Sequence, residues 1–292
     1  MINPVLRREA ITTMRNWKTY GALAVFLIIT ALGANFFVYV SMFQNYNLSF
    51  DPQNMTVLYI VLASIQMGLV MLVAPAVAAG SISGERERQT LDLLLVTKMS
   101  PFSIVIGKLM ASLMYILLLI VGSLPIFGIA FYFGSVSVLQ ILELFLFVLV
   151  NACMVGAISV FFSCVFKKTI TSIVLMYLVI GVLCFGTLLL LGFIFISATM
   201  AENGEIPLLA SVLVLIPNPG VAFFSMIDTQ LGTDIVSSVM SSVPDASSME
   251  LWMASHMWLL HMVFDIVVAV VFVLLAAKMI NPVREQKRSR KK

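Results

Sequence analysis

All 17 Lys and Arg residues of this chain fall into four short clusters, with long apolar stretches between them. The clusters are Arg7, Arg8, Arg15 and Lys18; Arg86, Arg88, Lys98 and Lys108; Lys167 and Lys168; and Lys278 with Arg284, Lys287, Arg288, Arg290, Lys291 and Lys292. Short loops rich in Lys and Arg stay on the cytoplasmic side of a membrane, so all four clusters and both termini are expected there. Asp51, Glu202, Glu205, Asp228, Asp234, Asp245 and Glu250 fall in the segments expected on the other side, which carry no Lys or Arg.

A span needs about 20 apolar residues at 1.5 Å each to cross roughly 30 Å of hydrocarbon. Residues 20–41, 57–80, 104–133, 139–166, 170–197 and 256–279 meet that requirement. Hydropathy and charge then agree, because these six spans put every cationic loop on one face. The expected fold is all-α and polytopic. A soluble fold is excluded, since 11% charged residues compares with about a quarter in soluble domains. The basic tail reads as an anionic-lipid contact rather than a nucleic-acid site. Cys153, Cys164 and Cys184 lie in apolar stretches and imply no disulfide framework. The first apolar run follows a mixed segment containing Glu9 and is expected to remain as a span, not as a cleavable signal.

Residues 3–18 have the pattern of an interfacial amphipathic helix. Asn3 and Pro4 suit its start, and Leu6, Ala10, Met14 and Trp17 recur at helical spacing. Arg7, Arg8, Arg15 and Lys18 occupy the rest of its circumference; the other reading is a charged flank that orients span one. Trp17, Trp252 and Trp258 fall near span ends, where indole rings are favoured. Residues 81–103 are too polar to span and too patterned for a plain linker. Gly80 and Gly84 suit a sharp exit from span two, and Glu85 and Glu87 suit the start of a following helix. Leu91, Leu94 and Leu95 share one face of that helix, while Arg88 and Asp92 stand a turn apart on another. Docking to a soluble partner and a solvated loop with membrane-dipping leucines are both open on this chemistry.

Residues 198–255 are long for a connection. Residues 206–216 are apolar but too short to cross, and suit a re-entrant or surface helix ended by Pro217-Asn-Pro-Gly220. Ser247 and Glu250 have capping-box spacing ahead of span six. Asn47-Leu-Ser49 and Asn54-Met-Thr56 have glycosylation spacing.

Several chemistries find no residues. There is no Gly-rich loop ending in Gly-Lys-Ser/Thr, no His-Glu-x-x-His and no Gly-x-Ser-x-Gly. With only His256 and His261, a zinc enzyme is not expected. Polar residues inside spans are costly and draw attention. Gln66 and Asn151 are mid-span, where inter-helix hydrogen bonding and substrate contact are the two readings. His261 and Asp265 stand one turn apart in span six, where they either satisfy each other or face a water-filled path. Glu143 lies near the end of span four. A path of Phe, Met, Leu and small polar residues suits an amphipathic peptide, a drug or a lipid-linked molecule.

The stretch Ser83-Gly-Glu-Arg-Glu-Arg-Gln-Thr-Leu-Asp-Leu-Leu-Leu-Val-Thr-Lys-Met-Ser-Pro101, followed by Ile104-Val-Ile-Gly-Lys108, resembles the segment after span two in type-2 ABC transporter permeases. Asn3-Pro-Val-Leu-Arg-Arg-Glu9 resembles that family's N-terminal surface helix, and Asn281-Pro-Val-Arg-Glu285 its exit from the last span. The chain departs from the family pattern at Gln89, where a glycine is expected, and at Lys98, where a proline is expected.

The resemblance implies one transmembrane domain over 1–292. It comprises an interfacial helix (1–19), spans one and two (20–80), a cytoplasmic coupling helix (81–103), spans three to five (104–197), an extracellular segment (198–255), span six (256–280) and a basic tail (281–292). It further implies a bacterial plasma-membrane exporter subunit without its own ATPase. Two copies of a separate ATPase chain would bind ATP and Mg, beside a second permease, identical or homologous. The ATPase contact would fall on Glu85, Arg86, Glu87, Arg88, Thr90 and Asp92, anchored by Leu91, Leu94 and Leu95. Gln66, Asn151, His261 and Asp265 are candidates for the substrate path. An ion-coupled secondary transporter or channel using His261 and Asp265 is the alternative.

Overall fold

The computed structural model describes residues 11–12, 15–44, 52–91, 100–132, 136–200, 208–233 and 247–280. Among them the chain is all-helical, with six helices long and apolar enough to cross a membrane. Span one is α1 (Trp17–Gln44). Span two is α2 (Pro52–Ala78) continued by α3 (Gly80–Glu87). Spans three and four are α4 (Pro101–Tyr132) and α5 (Val138–Val165). Span five is α6 (Thr169–Gly181), a π turn (Val182–Gly186) and α7 (Thr187–Met200). The short helices α8 (Leu208–Leu215), α9 (Pro219–Leu231) and α10 (Ser248–Ser255) precede span six, α11 (Met257–Met279). The chain forms two compact units, Met1–Ile173 with Ala269–Lys292, and Val174–Val268.

In the first unit α5 is the centre, with 67% of its most apolar stretch buried. α2 and α4 pack against it and against each other. Phe127 of α4 meets Tyr59 of α2 edge-on at 6.3 Å and Phe145 of α5 at 5.4 Å. Gly156 sets how closely the helices approach. A Cβ there would stand 3.0 Å from Leu109 Cδ1 and 4.0 Å from both Ala78 Cβ and Ser112 Oγ. Hydroxyls inside spans satisfy themselves locally, as they must where water is excluded. Thr30, Ser64 and Ser159 each donate to the carbonyl four residues earlier. Ser123 of α4 donates to Gln66 Oε1 of α2 at 2.8 Å, a direct inter-helix bond.

One expectation is corrected. Gly80 and Gly84 do not make a sharp exit, because the helix of span two runs through both to Glu87. Their missing side chains serve close approach instead. A Cβ on Gly80 would meet Thr169 Cγ2 at 3.4 Å, and one on Gly84 would meet Thr169 Oγ1 at 3.7 Å. Glu85 and Glu87 therefore close a helix rather than open one.

In the second unit, α8 and α9 are bent by 108° at a short break, so that α8 ends at Pro217-Asn-Pro-Gly220 as its proline and glycine chemistry predicts. Leu208, Val212 and Leu215 of α8 share a core with Ala254 and Met257. α10 opens with a complete Ser247–Glu250 capping box, whose Ser247 donors hold the Glu250 carboxyl below its usual range. Residues 1–10 and 281–292 lie outside the described residues, and with them most of the expected interfacial helix, including Arg7 and Arg8, and the basic tail.

Because Leu109 must move to admit a larger side chain, Gly156→Leu is expected to destabilise the protein by about 1–3 kcal/mol. Gly181→Leu, which meets open space, serves as the control. Thermal unfolding in mild detergent reads the difference, and equal midpoints for the two variants would disprove this account of the α2–α4–α5 contact.

Candidate functional site

A helix that stops leaves amides at its start and carbonyls at its end without partners. At the end of span two these groups are satisfied across four helices. Ser163 of α5 accepts from the Ile82 and Ser83 amides at 3.0 and 2.8 Å, satisfying the first turn of α3. Arg86 reaches the last carbonyls of α5, donating to Cys164 and to Phe166 at 3.4 Å each. Glu87 caps α6 from another helix, accepting from the Thr169 amide at 2.8 Å and its hydroxyl at 3.1 Å. Glu85 pairs with Lys108 of α4. The hydroxyls of Ser163, Ser83 and Thr169 stand 3.1 Å apart in sequence. Ser163 donates to Ser83, Ser83 donates back to the Ala79 carbonyl at 2.9 Å, and Thr169 donates to Glu87.

Beyond Glu87 the chain reverses. The Thr90 amide donates to Glu85 O at 2.9 Å and the Gln89 amide to Arg86 O at 3.1 Å. These are the two bonds of a Schellman motif, with Gln89 at its left-handed position, φ 57°. Glycine suits that conformation, which explains the glycine expected there. Arg88, Gln89 and Thr90 are exposed at the turn. Leu91 folds back into a core with Ala78, Ile82, Val105 and Leu109. Asp92, Leu94, Leu95 and Lys98 lie outside the described residues. Of the sequence-derived contact set, Glu85, Arg86 and Glu87 are thus bonded within the chain, as is Thr90, whose hydroxyl donates to Glu85 O at 3.2 Å; Arg88 and Thr90 are both exposed. Arg15, Trp17 and Lys18 are exposed.

The second unit has its own polar joint, at the α8–α9 corner. Asn218 is buried and uses its whole side chain. Oδ1 accepts from the Gly220 and Val221 amides at 2.9 and 3.1 Å. Nδ2 donates to Cys184 O in the π turn at 2.9 Å and to Thr187 Oγ1 at 2.7 Å. Two residues earlier, Ile216 O accepts from His261 Nδ1 at 2.6 Å. A carbonyl only accepts, so Nδ1 carries the hydrogen and Nε2 is left facing Asp265 Oδ2 at 3.4 Å. Both side chains are fully buried. Gln66 and Asn151 are also fully buried, with the Asn151 amide donating to Phe147 O. None of the four lines an exposed surface.

Sequence reasoning did not single out Lys108 as the partner of Glu85, nor Ser163, Thr169 or Asn218. Lys108 had a signal, a cation eight residues beyond Ser100 in an apolar run. The others had little, since lone Ser, Thr and Asn residues are common in spans.

Among the described residues, six helices long and apolar enough to cross a membrane and a broken segment before the last of them define a polytopic membrane protein. Residues 10–278 match the family model described as ABC-2 family transporter protein, and the chain belongs to that family. It is therefore an ABC transporter permease, from a family whose ATPase resides on a separate chain. No curated protein matches it.

Two outcomes are expected here. Gln89→Gly relieves a left-handed non-glycine residue and raises stability by about 1 kcal/mol, read by thermal unfolding. Lys108 is 5% exposed and Glu85 21%, so removing the carboxylate strands the more deeply buried charge. Glu85→Gln then costs about 3–5 kcal/mol, and Lys108→Met costs less, because Glu85 can turn to water. The reverse order would contradict the burial argument.

Proposed function

We propose that this chain is the membrane-spanning subunit of a bacterial plasma-membrane exporter. It works beside a second permease, identical or homologous, and two copies of a separate ATPase that bind ATP and Mg. The observation that carries this reading is the stapled turn at the end of span two. Its exposed Arg88, Gln89 and Thr90 meet the ATPase, and Glu85, Arg86 and Glu87 hold that turn against spans three, four and five. The family resemblance would extend the contact to Asp92, with Leu91, Leu94 and Leu95 as its anchors; of these only Leu91 lies among the described residues. ATP-driven closure of the ATPases pushes on this turn, and the push reaches several spans at once because one short helix is bonded to all of them. The exposed apolar face of span five, none of whose most apolar stretch is buried, supports a second permease as its neighbour.

A second reading rests on one observation, the buried His261–Asp265 pair in span six. Ion-coupled transport through that pair would proceed without nucleotide and be lost in Asp265→Asn.

The test is purification in mild detergent with mass spectrometry of co-purifying chains, followed by ATP turnover in proteoliposomes. A stoichiometric P-loop ATPase is expected, and Arg88→Glu with Thr90→Glu should cut permease-dependent turnover about tenfold without affecting insertion. Intact complexes free of any ATPase would overturn the proposal.

A further inference from the structure

His261 and Asp265 stand one turn apart in span six, and neither side chain has any exposed surface. The hydrogen on His261 Nδ1 is committed to Ile216 O, just past α8, so Nε2 presents a lone pair toward Asp265 Oδ2 at 3.4 Å. Neither carboxyl oxygen of Asp265 meets a hydrogen-bond donor among the described residues. No Lys or Arg occurs between Lys168 and Lys278. The other ionisable side chains described in this unit, Tyr177, Cys184, Asp228, Glu250 and His256, include no permanent cation.

An ionised carboxylate in that place would be buried without compensation, which is among the costliest arrangements a protein can hold. An ion pair with a His261 cation does not fit the geometry. Charge-assisted N–H···O contacts close to about 2.7–2.9 Å, and the second carboxyl oxygen would still lack a donor. A metal ion would need further ligands, and no group of three His, Cys, Asp or Glu gathers to hold one among the described residues. Acceptors that converge without a donor fit one small occupant, a proton.

We propose that His261 and Asp265 form a binding site for one proton, carried on the Asp265 carboxyl and directed at the Nε2 lone pair. The bound proton makes the buried pair neutral and supplies the donor it lacks. It also fixes the tautomer, because a donor facing Nε2 keeps the ring hydrogen on Nδ1, where it holds the Ile216 carbonyl. One proton thereby fastens span six to the α8–α9 corner, which Asn218 fastens in turn to the π turn of span five. This site stands on its own geometry and is independent of the ATPase contact proposed above.

The experiment uses the full chain in lipid, carrying isotope-labelled histidine. The chain has two histidines, so His256→Gln leaves the ring nitrogens of His261 as the only histidine signals in magnetic resonance. A neutral ring with its hydrogen on Nδ1 is expected at neutral pH. An imidazolium, or a hydrogen on Nε2 alone, would overturn the proposal. Infrared spectroscopy should show a protonated-carboxyl band that Asp265→Asn removes and Asp228→Asn leaves. Asp228 is the control because it too is buried, with the Thr233 hydroxyl donating to it. Absence of the band, or bands indifferent to Asp265→Asn, would overturn the proposal as well. Asp265→Asn is uncharged and still presents an N–H donor, so its thermal midpoint should stay close to that of the wild type. A collapse of that variant would mean that the carboxyl is ionised in the wild type, against the proposal.

Discussion

Glu87 reaches from the last turn of one membrane helix to the first amide of another, and much of the basic end of the protein depends on that bond. A helix start beside a bilayer exposes amides that lipid cannot satisfy. The carboxylate supplies both a hydrogen-bond acceptor and a negative charge where the helix dipole favours one. Arg86 does the converse at the end of α5, where carbonyls accumulate. A single eight-residue helix thus holds opposite charges in adjacent positions and delivers each to the helix end that attracts it. The result is a mechanical link made from capping interactions, without a large hydrophobic contact of its own.

Apolar packing between helices is non-directional and tolerates sliding, whereas capping bonds fix register and weaken once a helix end moves by an ångström or so. The Arg88–Thr90 turn is tied through such bonds to α4, α5 and the start of α6. These helices must shift together or break charge-assisted bonds, each of which is worth about 1.5–3 kcal/mol. The Asn218 corner follows the same principle in the second unit. There one buried amide saturates its two donors and two acceptors, joining the start of α9 to the wide turn of span five.

The sequence made the spans legible because two independent signals coincide. Apolar length marks where helices cross, and the Lys and Arg clusters mark which connections share a side. The Ser247–Glu250 box and the break at Pro217–Gly220 were legible for similar reasons, since capping and proline chemistry are local. The role of Glu85 and Glu87 was not. Gly80 and Gly84 read as a helix exit, which made the two carboxylates look like the opening of the next helix. Glycine has two uses, conformational freedom and close approach, and only the position of Thr169, more than eighty residues away, decides between them. Ser163 and Asn218 were hidden for a related reason. Their function lies in which distant backbone groups they meet, and no periodicity records that.

Gln89 joins the two levels. Its left-handed backbone is what lets the Schellman bonds close, and these turn the chain so that Leu91 re-enters the core while Arg88 and Thr90 stay outside. Glycine would adopt that conformation more cheaply, but it would also give the turn more freedom. A glutamine there accepts about 1–2 kcal/mol of strain and narrows the range of backbone shapes the turn can take. Such strain persists only where the surrounding structure over-determines it. In a turn bonded to several spans, that rigidity passes into the helices rather than being lost in the loop.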